Sequence, residues 1–435
     1  MRKVLFIAYY FPPLGLSGVQ RTFKFVKYLS RFNWRPTILT ISPGGYFAKD
    51  YGMLKEIEDQ DISIVRVGSK LEPTQIFKKK DAIEMPHEFV RKFSSRLSQF
   101  FLLPDNKIGW KKKAVEAGSK LLENEKFDAI FSTAPPYTDF LIGEELKEKF
   151  NLPYVIDYRD SWMDNPYNFY PTPLHRSIVS RMERRVLHSS DHIITINRRI
   201  KELLLIRYKF LKYTDITIIP QGFDPEDFDI PENETLPRVK KFRITYSGTF
   251  IDKRTPKYFL RAVAKLLKEN PEIRHNFEAC FVGNFRKENE KIVDKLNLRD
   301  VVNIVGYVEH KECIKYLVTS DVLWMMIGEG KGEDMMSTGK LFEYIGAKKP
   351  ILGCVPDGIA KNTILESKSG FVVNPYDVNG IAKILLDLFY RWKGGTLPQP
   401  DDDFVNKYNR INLTCDLSRV FELLIDYSAF EKRTE

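Results

Sequence analysis

The sequence predicts an α/β protein built from two units, each a parallel sheet with helices on both faces. Three observations carry this expectation. Short apolar runs alternate with amphipathic stretches through both halves of the chain. The same opening occurs twice, from Lys3 and again from Phe242: a buried strand, a glycine-containing turn and a helix. Between the two halves, an acidic passage with prolines runs from Gln221 to about Pro237 and reads as a linker. The chain has 435 residues, the length of two domains, and its apolar content of 43% can fill two cores. The expected boundaries are a first domain over 1–225, a linker over 226–240 and a second domain over 241–400. A tail over 401–435, helical at about Leu417–Tyr427, would return to the first domain.

In the first half, strands are expected at Lys3–Tyr10, Arg35–Ile41, Ile62–Val67, Ala129–Thr133, Tyr154–Asp157, Asp191–Thr195 and Ile216–Pro220. A helix at about Gln20–Phe32 follows the turn containing Gly15 and Gly18. Strand, turn, helix and strand make a Rossmann-like opening. The two glycines would let main-chain amides approach a ligand closely, but they do not form GxGxxG. Leu39-Thr40 also lack the acid that grips a ribose, which argues against a nicotinamide cofactor. In the second half, strands are expected at Phe242–Tyr246, Glu278–Val282, Val301–Val305, Val322–Met326, Ile351-Leu352 and Gly370–Val373, with helices between them.

The net charge is +10, with a pI near 9.1, which suits anionic partners. Cys280, Cys313, Cys354 and Cys415 are scattered without CxxC spacing, so free thiols in a reducing compartment are expected and a zinc site is not. His188 and His192 lack the HExxH context of a metal pair. Met1–Tyr10 has the look of a signal segment, but Pro12-Pro13 follow and no small-residue cleavage site does, so a buried strand fits better. No apolar run approaches the roughly 20 residues that span a bilayer.

The stretch from Ser337 to Leu352 holds the most informative local conflict. Ser337 or Thr338 can cap a helix whose apolar face is Leu341, Phe342 and Ile345, ended by Pro350. Lys340, in the first turn, opposes the positive end of the helix dipole. An anion would resolve the conflict, because the amides, the dipole and the ammonium would all face it. Arg254 and Lys257 stand at the equivalent place after the Ser247-Gly248-Thr249 turn and could grip a diphosphate. The bland alternative is a capped core helix with a Lys340–Glu343 surface pair. In the first half, Asp157-Tyr158-Arg159-Asp160-Ser161-Trp162 ends a parallel strand, where such sheets keep their sites. Asp160 could orient a hydroxyl, while Arg159 could hold Asp157 or a phosphate. Between Lys78 and Lys113, basic residues interleave with Phe89, Phe93, Phe100, Phe101 and Trp110, a composition suited to an anionic membrane surface or a lipid-phosphate acceptor.

With these pieces in order, the chain resembles a family 4 glycosyltransferase of the two-Rossmann-domain (GT-B) architecture over nearly its full length. The resemblance is carried by five stretches: Tyr9-Tyr10-Phe11-Pro12-Pro13 with Gly15 and Gly18; Asp157–Trp162; Gln221-Gly222-Phe223-Asp224; the Ser247-Gly248-Thr249 turn with Arg254; and Lys340–Tyr344 closing on Lys349-Pro350-Ile351. It implies two domains facing a cleft, a nucleotide-sugar donor in the second, an acceptor in the first, retention of anomeric configuration and no metal or other cofactor. It also implies that Arg254 and Lys340 hold the donor diphosphate and that Glu343 holds the nucleotide ribose. Gly15, Gly18, Gly248, Thr249, Lys257, Gly283, Ser337, Thr338, Gly339 and Leu341 would complete the donor site. The first glutamate of the family's E-x7-E pattern falls on Met335, and Glu333 or Asp334 could stand in by a register shift. Where many relatives carry a histidine, Tyr137–Phe140 has none, so Asp139 or Asp160 could take its place. Asp139, Arg159 and Asp160 are the expected acceptor contacts, and Asp160, Arg254 and Lys340 the expected catalytic groups.

The reading is therefore a cytoplasmic transferase, peripheral to the membrane, that builds a capsule, O-antigen or exopolysaccharide on a lipid-linked or oligosaccharide acceptor. The alternatives are a nucleotide-sugar epimerase of the same architecture and a non-catalytic nucleotide-sugar-binding protein. Nucleic acid is a poorer partner, since the basic residues cluster beside glycine turns rather than on an aromatic platform. Gly339-Lys340 lacks the spacing of a phosphate-binding ATPase loop.

Overall fold

The computed structural model describes residues 1–15, 17–43, 51–68, 100–165, 168–250, 253–330, 332–335 and 338–434. Ser337 and the 78–99 portion of the basic–aromatic stretch lie outside the described residues. The chain divides into two compact units, Met1–Pro220 with Leu413–Glu435, and Gln221–Asn412.

The first unit is a seven-stranded sheet, all parallel, in the order β3-β2-β1-β4-β5-β6-β7. Its strands are β1 Arg2–Ile7, β2 Trp34–Ile41, β3 Ser63–Val67, β4 Ala129–Ala134, β5 Tyr154–Tyr158, β6 His192–Thr195 and β7 Ile216–Ile218. Their near-continuous apolar runs follow from burial on both faces. One face packs Leu5, Ile7, Ile130 and Ile156 against the helices Lys111–Asn124 and Thr138–Phe150. The other packs Val4, Phe6 and Phe131 against Phe23 and Val26 of the helix Ser17–Leu29. Leu413, Leu417, Val420 and Phe421 of the last helix, Arg410–Thr434, join this second cluster, so the C-terminal helix does return to the first unit.

The second unit is a six-stranded sheet, again all parallel, in the order β10-β9-β8-β11-β12-β13. The strands are β8 Phe242–Ser247, β9 Phe277–Val282, β10 Val302–Gly306, β11 Val322–Met326, β12 Ile351–Cys354 and β13 Gly370–Val373. Trp324 on β11 is 1% exposed and stacks on Phe259 at 4.0 Å between ring centroids. Full burial of a side chain such as Phe259 contributes roughly 1.5–3 kcal/mol. In both sheets the strand order reverses beside the first strand, between β1 and β4 and between β8 and β11. Sheets of this kind bind ligands beyond the carboxyl ends of the strands at such switch points.

Three features differ from expectation. The acidic passage after Gln221 belongs to the second unit: Pro225–Phe228 is a 3-10 turn, Glu234 pairs with Lys315, and the Pro237 carbonyl accepts a bond from Arg243. Residues 401–412 also belong there, with Asp401 capping the short helix Asp402–Asn406. Trp110, expected among the membrane-facing aromatics, is 0% exposed, and Lys111, Lys112 and Lys113 after it open the helix Lys111–Asn124. Trp110 packs into the core, whereas Lys112 and Lys113 are exposed, as are Phe101 at 72% and Phe100 at 46%. The helices Pro173–Ser189 and Arg198–Arg207 carry so many arginines that their apolar stripes are faint in the sequence.

All four cysteines are free thiols. Among the described residues, no helix is long and apolar enough to cross a membrane, and no cluster of three or more His, Cys, Asp or Glu side chains is arranged to hold a metal ion.

Candidate functional site

The site of the second unit begins with three glycines. The strands β8, β9 and β10 are neighbours, and each ends in a glycine of positive φ: Gly248 at +105°, Gly283 at +124° and Gly306 at +83°. L side chains rarely adopt such angles. Gly248 N–H donates to the Val282 carbonyl at 2.6 Å, and Gly283 N–H to the Gly306 carbonyl at 2.7 Å. A Cβ on Gly283 would lie 2.6 Å from the Gly248 oxygen, so the two turns touch backbone to backbone.

On the other side of β8, strand β11 leads by a loop to the helix Gly339–Gly346. Thr338 has the extended conformation of an N-cap, yet its hydroxyl makes no capping bond. Its Oγ1 is buried and has no partner among the described residues. The sequence reading expected Ser337 or Thr338 to cap this helix; Thr338 does not, and Ser337 lies outside the described residues. The helix is fixed to β8 by Tyr344, whose hydroxyl accepts from the Ser247 N–H at 2.9 Å.

Lys340 lies across Gly248. A Cβ on that glycine would fall 2.6 Å from both Cε and Nζ of the lysine. Nζ donates to the Tyr246 hydroxyl at 2.7 Å and stands 4.1 Å from the centre of the Tyr246 ring. Tyr246 is itself held by stacking on Phe250 at 4.2 Å. Burial first, and the positive field of Arg254 second, push the Lys340 ammonium down to about 7. Glu343 pulls the other way, but less. Arg254 therefore acts electrostatically on Lys340 at a helix N-terminus with an unsatisfied hydroxyl, and an anion there would relieve the repulsion of like charges. This disfavours the bland Lys340–Glu343 surface pair.

Glu343 belongs to a group the sequence reading missed. Burial raises its carboxyl above the usual range, with His310 opposing and Asp227 reinforcing the shift. His310 stands between the two acids, with Nε2 at 3.1 Å from Asp227 Oδ2 and Nδ1 at 3.9 Å from Glu343 Oε1. Asp227 comes from the supposed linker and His310 opens the helix His310–Val318, so nothing local in the sequence joins them. The Gln221–Asp224 stretch is brought to the same helix: a Cβ on Gly346 would lie 2.6 Å from the Phe223 ring. Arg410 binds the Gln221 side chain at 3.2 Å.

The other donor candidates take lesser places. Arg254 is half-buried beside Lys340 and Tyr246, while Lys257 begins the helix Lys257–Glu269, its Nζ 5.5 Å from the Tyr258 ring. Thr249 offers its carbonyl to Tyr246 at 3.5 Å. Lys253 donates to the Glu329 carbonyl at 2.9 Å, and a Cβ on Gly328 or Gly330 would strike it. Glu333 and Asp334 sit in a 3-10 turn pressed on Gly358, whose Cβ would lie 2.4 Å from the Asp334 oxygen. Gly339 and Leu341 contribute backbone at the helix start, where Leu341 N–H reaches the Thr338 carbonyl at 3.1 Å.

In the first unit, the candidates separate by depth. Arg159 is 6% exposed and donates to three carbonyls: Gly18 at 2.6 Å, Pro135 at 2.7 Å and Ala134 at 3.2 Å. It clamps the loop and is not poised for an acceptor. It does not hold Asp157 either. Arg21 does, through Nε and Nη2, with the Thr133 hydroxyl as third partner at 2.8 Å. Asp139 is 0% exposed and accepts from the Tyr9 N–H at 2.8 Å, while its Oδ1 has no partner among the described residues. Burial pushes its carboxyl well above the usual range. Asp160 alone of the three reaches the surface, and crowding by protein on its inner side raises its carboxyl. Its loop is locked by Trp162, whose N–H meets the Tyr158 hydroxyl at 2.6 Å and whose ring stacks on Tyr137 at 4.5 Å. Gly15 is buried in the first turn, and Gly18 is exposed with room for a Cβ.

The chain is similar to the family described as glycosyl transferases group 1 over residues 227–393 and to glycosyltransferase family 4 over residues 80–227. A search of curated proteins finds no relative that matches. Among solved structures, a glycosyltransferase from Rickettsia africae is 16% identical, with a TM-score of 0.64 and 98% of each chain covered. Anabaena HepE in complex with UDP is 11% identical, with a TM-score of 0.63, covering 97% of this chain and all of its own. A putative UDP-N-acetylglucosamine 2-epimerase from Listeria monocytogenes is 12% identical, with a TM-score of 0.59, covering 99% of this chain and 97% of its own. At these identities the structures speak for the fold alone, two parallel Rossmann-like sheets of the GT-B kind. The family matches run consecutively from residue 80 to residue 393, across both units, and the chain belongs to the family 4 glycosyltransferases.

Proposed function

We propose that the protein transfers a sugar from a nucleotide-diphosphate donor to a hydroxyl of a lipid-linked or oligosaccharide acceptor, with retention at the anomeric carbon, in the making of a surface polysaccharide. The observation that carries the donor reading is the pairing of Lys340 and Arg254 at the amino end of the helix Gly339–Gly346, beside the unsatisfied Thr338 hydroxyl. A departing diphosphate needs fixed positive charge and free amides rather than a base. That requirement matches the composition of the site, where Glu343 is the nearby acid and stands one helical turn further on. Glu343, held by His310, would bind the ribose hydroxyls. In the transfer, the bond from the anomeric carbon to the phosphate oxygen breaks and a bond to the acceptor oxygen forms on the same face. The acceptor proton passes to the leaving phosphate oxygen. Asp160, the exposed acid of the first unit's loop, would orient that acceptor hydroxyl. Retention, the acceptor class and the pathway rest on the family resemblance. A cytoplasmic site of action at the membrane rests on that same resemblance and on the exposed aromatics Phe100 and Phe101.

The test is a thermal-shift screen of the whole protein against UDP-, GDP- and dTDP-sugars, since a ligand bound only by the folded state raises the melting temperature by mass action. One nucleotide class is expected to stabilise the protein, and donor without acceptor is expected to be hydrolysed only slowly. Steady turnover of donor into an epimeric nucleotide sugar, or no stabilisation by any of the three classes, contradicts the proposal.

A further inference from the structure

We infer that the helix Pro173–Ser189 of the first unit, with Phe100 and Phe101 at its amino end, is the surface by which the protein docks on an anionic phospholipid bilayer. This deepens the membrane reading above by naming a second basic surface besides the exposed Lys112 and Lys113. The helix has two opposite faces. Val179, Glu183 and Val186 are buried, on a helix that neighbours Thr138–Phe150. On the far side Leu174, Ser177, Arg181, Arg184 and His188 follow one another at helical spacing, and all are exposed. Glu183 is the helix's sole acid, and it points inward to accept from the hydroxyls of Tyr158 and Tyr208. The outer stripe therefore carries no acid, and its two full charges are those of Arg181 and Arg184. Arg185 beside it is anchored on Glu144 through two bonds of 2.7 Å, but Arg181 and Arg184 have no ion-pair partner among the described residues.

The apolar part lies at the amino end of this stripe. Phe101 is 72% exposed, Leu174 65% and Phe100 46%. They form a patch: the two phenylalanine rings meet edge to face at 5.0 Å, and Phe100 stands 5.1 Å from His175, the neighbour of Leu174. The Phe100 carbonyl is 3.1 Å from His175 Nε2, which fixes the patch to the helix. Basic groups along an exposed helix face with an apolar wedge at one end match lipid phosphates over the start of the acyl region. Nucleic acid fits less well, because an edge-to-face pair and a leucine offer no flat platform for bases.

The experiment is co-sedimentation of the full chain with vesicles of phosphatidylcholine alone and of phosphatidylcholine with about one-third phosphatidylglycerol. Binding is expected on the anionic vesicles and should weaken as salt rises. Arg181→Glu/Arg184→Glu should lower the partition coefficient by at least roughly 30-fold, the product of about fivefold for each arginine lost from the surface before the repulsion of the new carboxylates is counted. Phe100→Ser/Phe101→Ser should weaken binding that high salt does not remove. Both variants should keep the wild-type melting temperature and its shift with nucleotide sugar; if charge reversal disturbs folding, Arg181→Gln/Arg184→Gln serves. Wild-type partitioning by the arginine variant, equal binding to neutral vesicles, or capture by single-stranded RNA in place of vesicles would overturn the assignment. The nucleotide-sugar screen reads the second unit's site and not this surface, so failure of one leaves the other standing.

Discussion

Lys340 rests on Tyr246, with its ammonium 2.7 Å from the phenol oxygen and 4.1 Å from the ring centre. The tyrosine thus holds the cation by two different interactions, one polar and one through the ring face. Tyr246→Phe removes the first and keeps the second. Nucleotide-sugar affinity is expected to fall about tenfold, within the range of a hydrogen bond to a charged group. The melting temperature should change little. Titration calorimetry checks this, and an unchanged affinity would show that the hydroxyl does not position Lys340.

Gly248→Ala probes the same contact from the backbone side. The φ of +105° costs an L residue about 1–3 kcal/mol, and the new methyl would lie 2.6 Å from Lys340 Nζ. Lower stability in denaturant melts and loss of nucleotide-sugar binding are expected together. Gly18→Ala, with Arg159 Nη1 3.9 Å from its added carbon, should have little effect on either.

With the Lys340 ammonium at about 7, donor binding is expected to depend on pH. The diphosphate diester of a nucleotide sugar holds a constant charge above about pH 3, so the pH dependence comes from the protein, where Lys340 is the group assigned to the diphosphate. An anion in the site favours the ammonium form, and binding near neutral pH should take up a proton. Affinity is expected to be high below about pH 7 and to fall as the pH rises through that value. For the empty protein the sign is the reverse. The folded lysine binds its proton less tightly than the unfolded one, so its contribution to stability improves from about pH 7 towards 10.5. Calorimetry in buffers of different ionisation enthalpy measures the uptake directly.

His310→Gln tests the bridge between Asp227 and Glu343. If Glu343 holds the ribose, loosening its support should raise the donor KM about tenfold and leave kcat nearly unchanged, the pattern of lost uniform binding. Asp227→Asn should give a smaller change in the same direction. A fall in kcat at constant KM would move His310 from donor binding to the chemical step.

In the first unit, Arg21 and Asp157 are paired at 2.9 Å with side chains 0% and 1% exposed. Arg21→Met leaves a buried carboxylate without its cation, and a loss of about 3–5 kcal/mol is expected in denaturant melts. The double variant Arg21→Met/Asp157→Leu should recover much of it.

Strands and the two-unit rhythm were legible because buried parallel strands write themselves as apolar runs, and all thirteen observed strands coincide with expected ones. Lys340 was legible too, because a cation against the helix dipole breaks a local rule. Contacts made by distant segments were not. Asp157 is two residues from Arg159 in sequence, yet Arg21, from the first helix, is its partner. His310 joins Asp227 and Glu343 only because the chain after Gln221 folds into the second unit. Asp139 looked available beside a helix start, but it is fully buried under the Tyr9 amide. The arginine-rich helix Pro173–Ser189 hid its apolar face because Val179 and Val186 are outnumbered by charged neighbours.

An anion is expected to bind between Lys340, Arg254 and the helix start at Thr338. Titration calorimetry of UDP-, GDP- and dTDP-sugars into the wild-type protein and into Lys340→Ala tests it most directly. Losing a buried charge-assisted contact to a diphosphate should weaken the one donor that binds by about 100-fold, with the melting temperature of the empty protein unchanged or raised. Equal affinity in the two proteins would contradict the account.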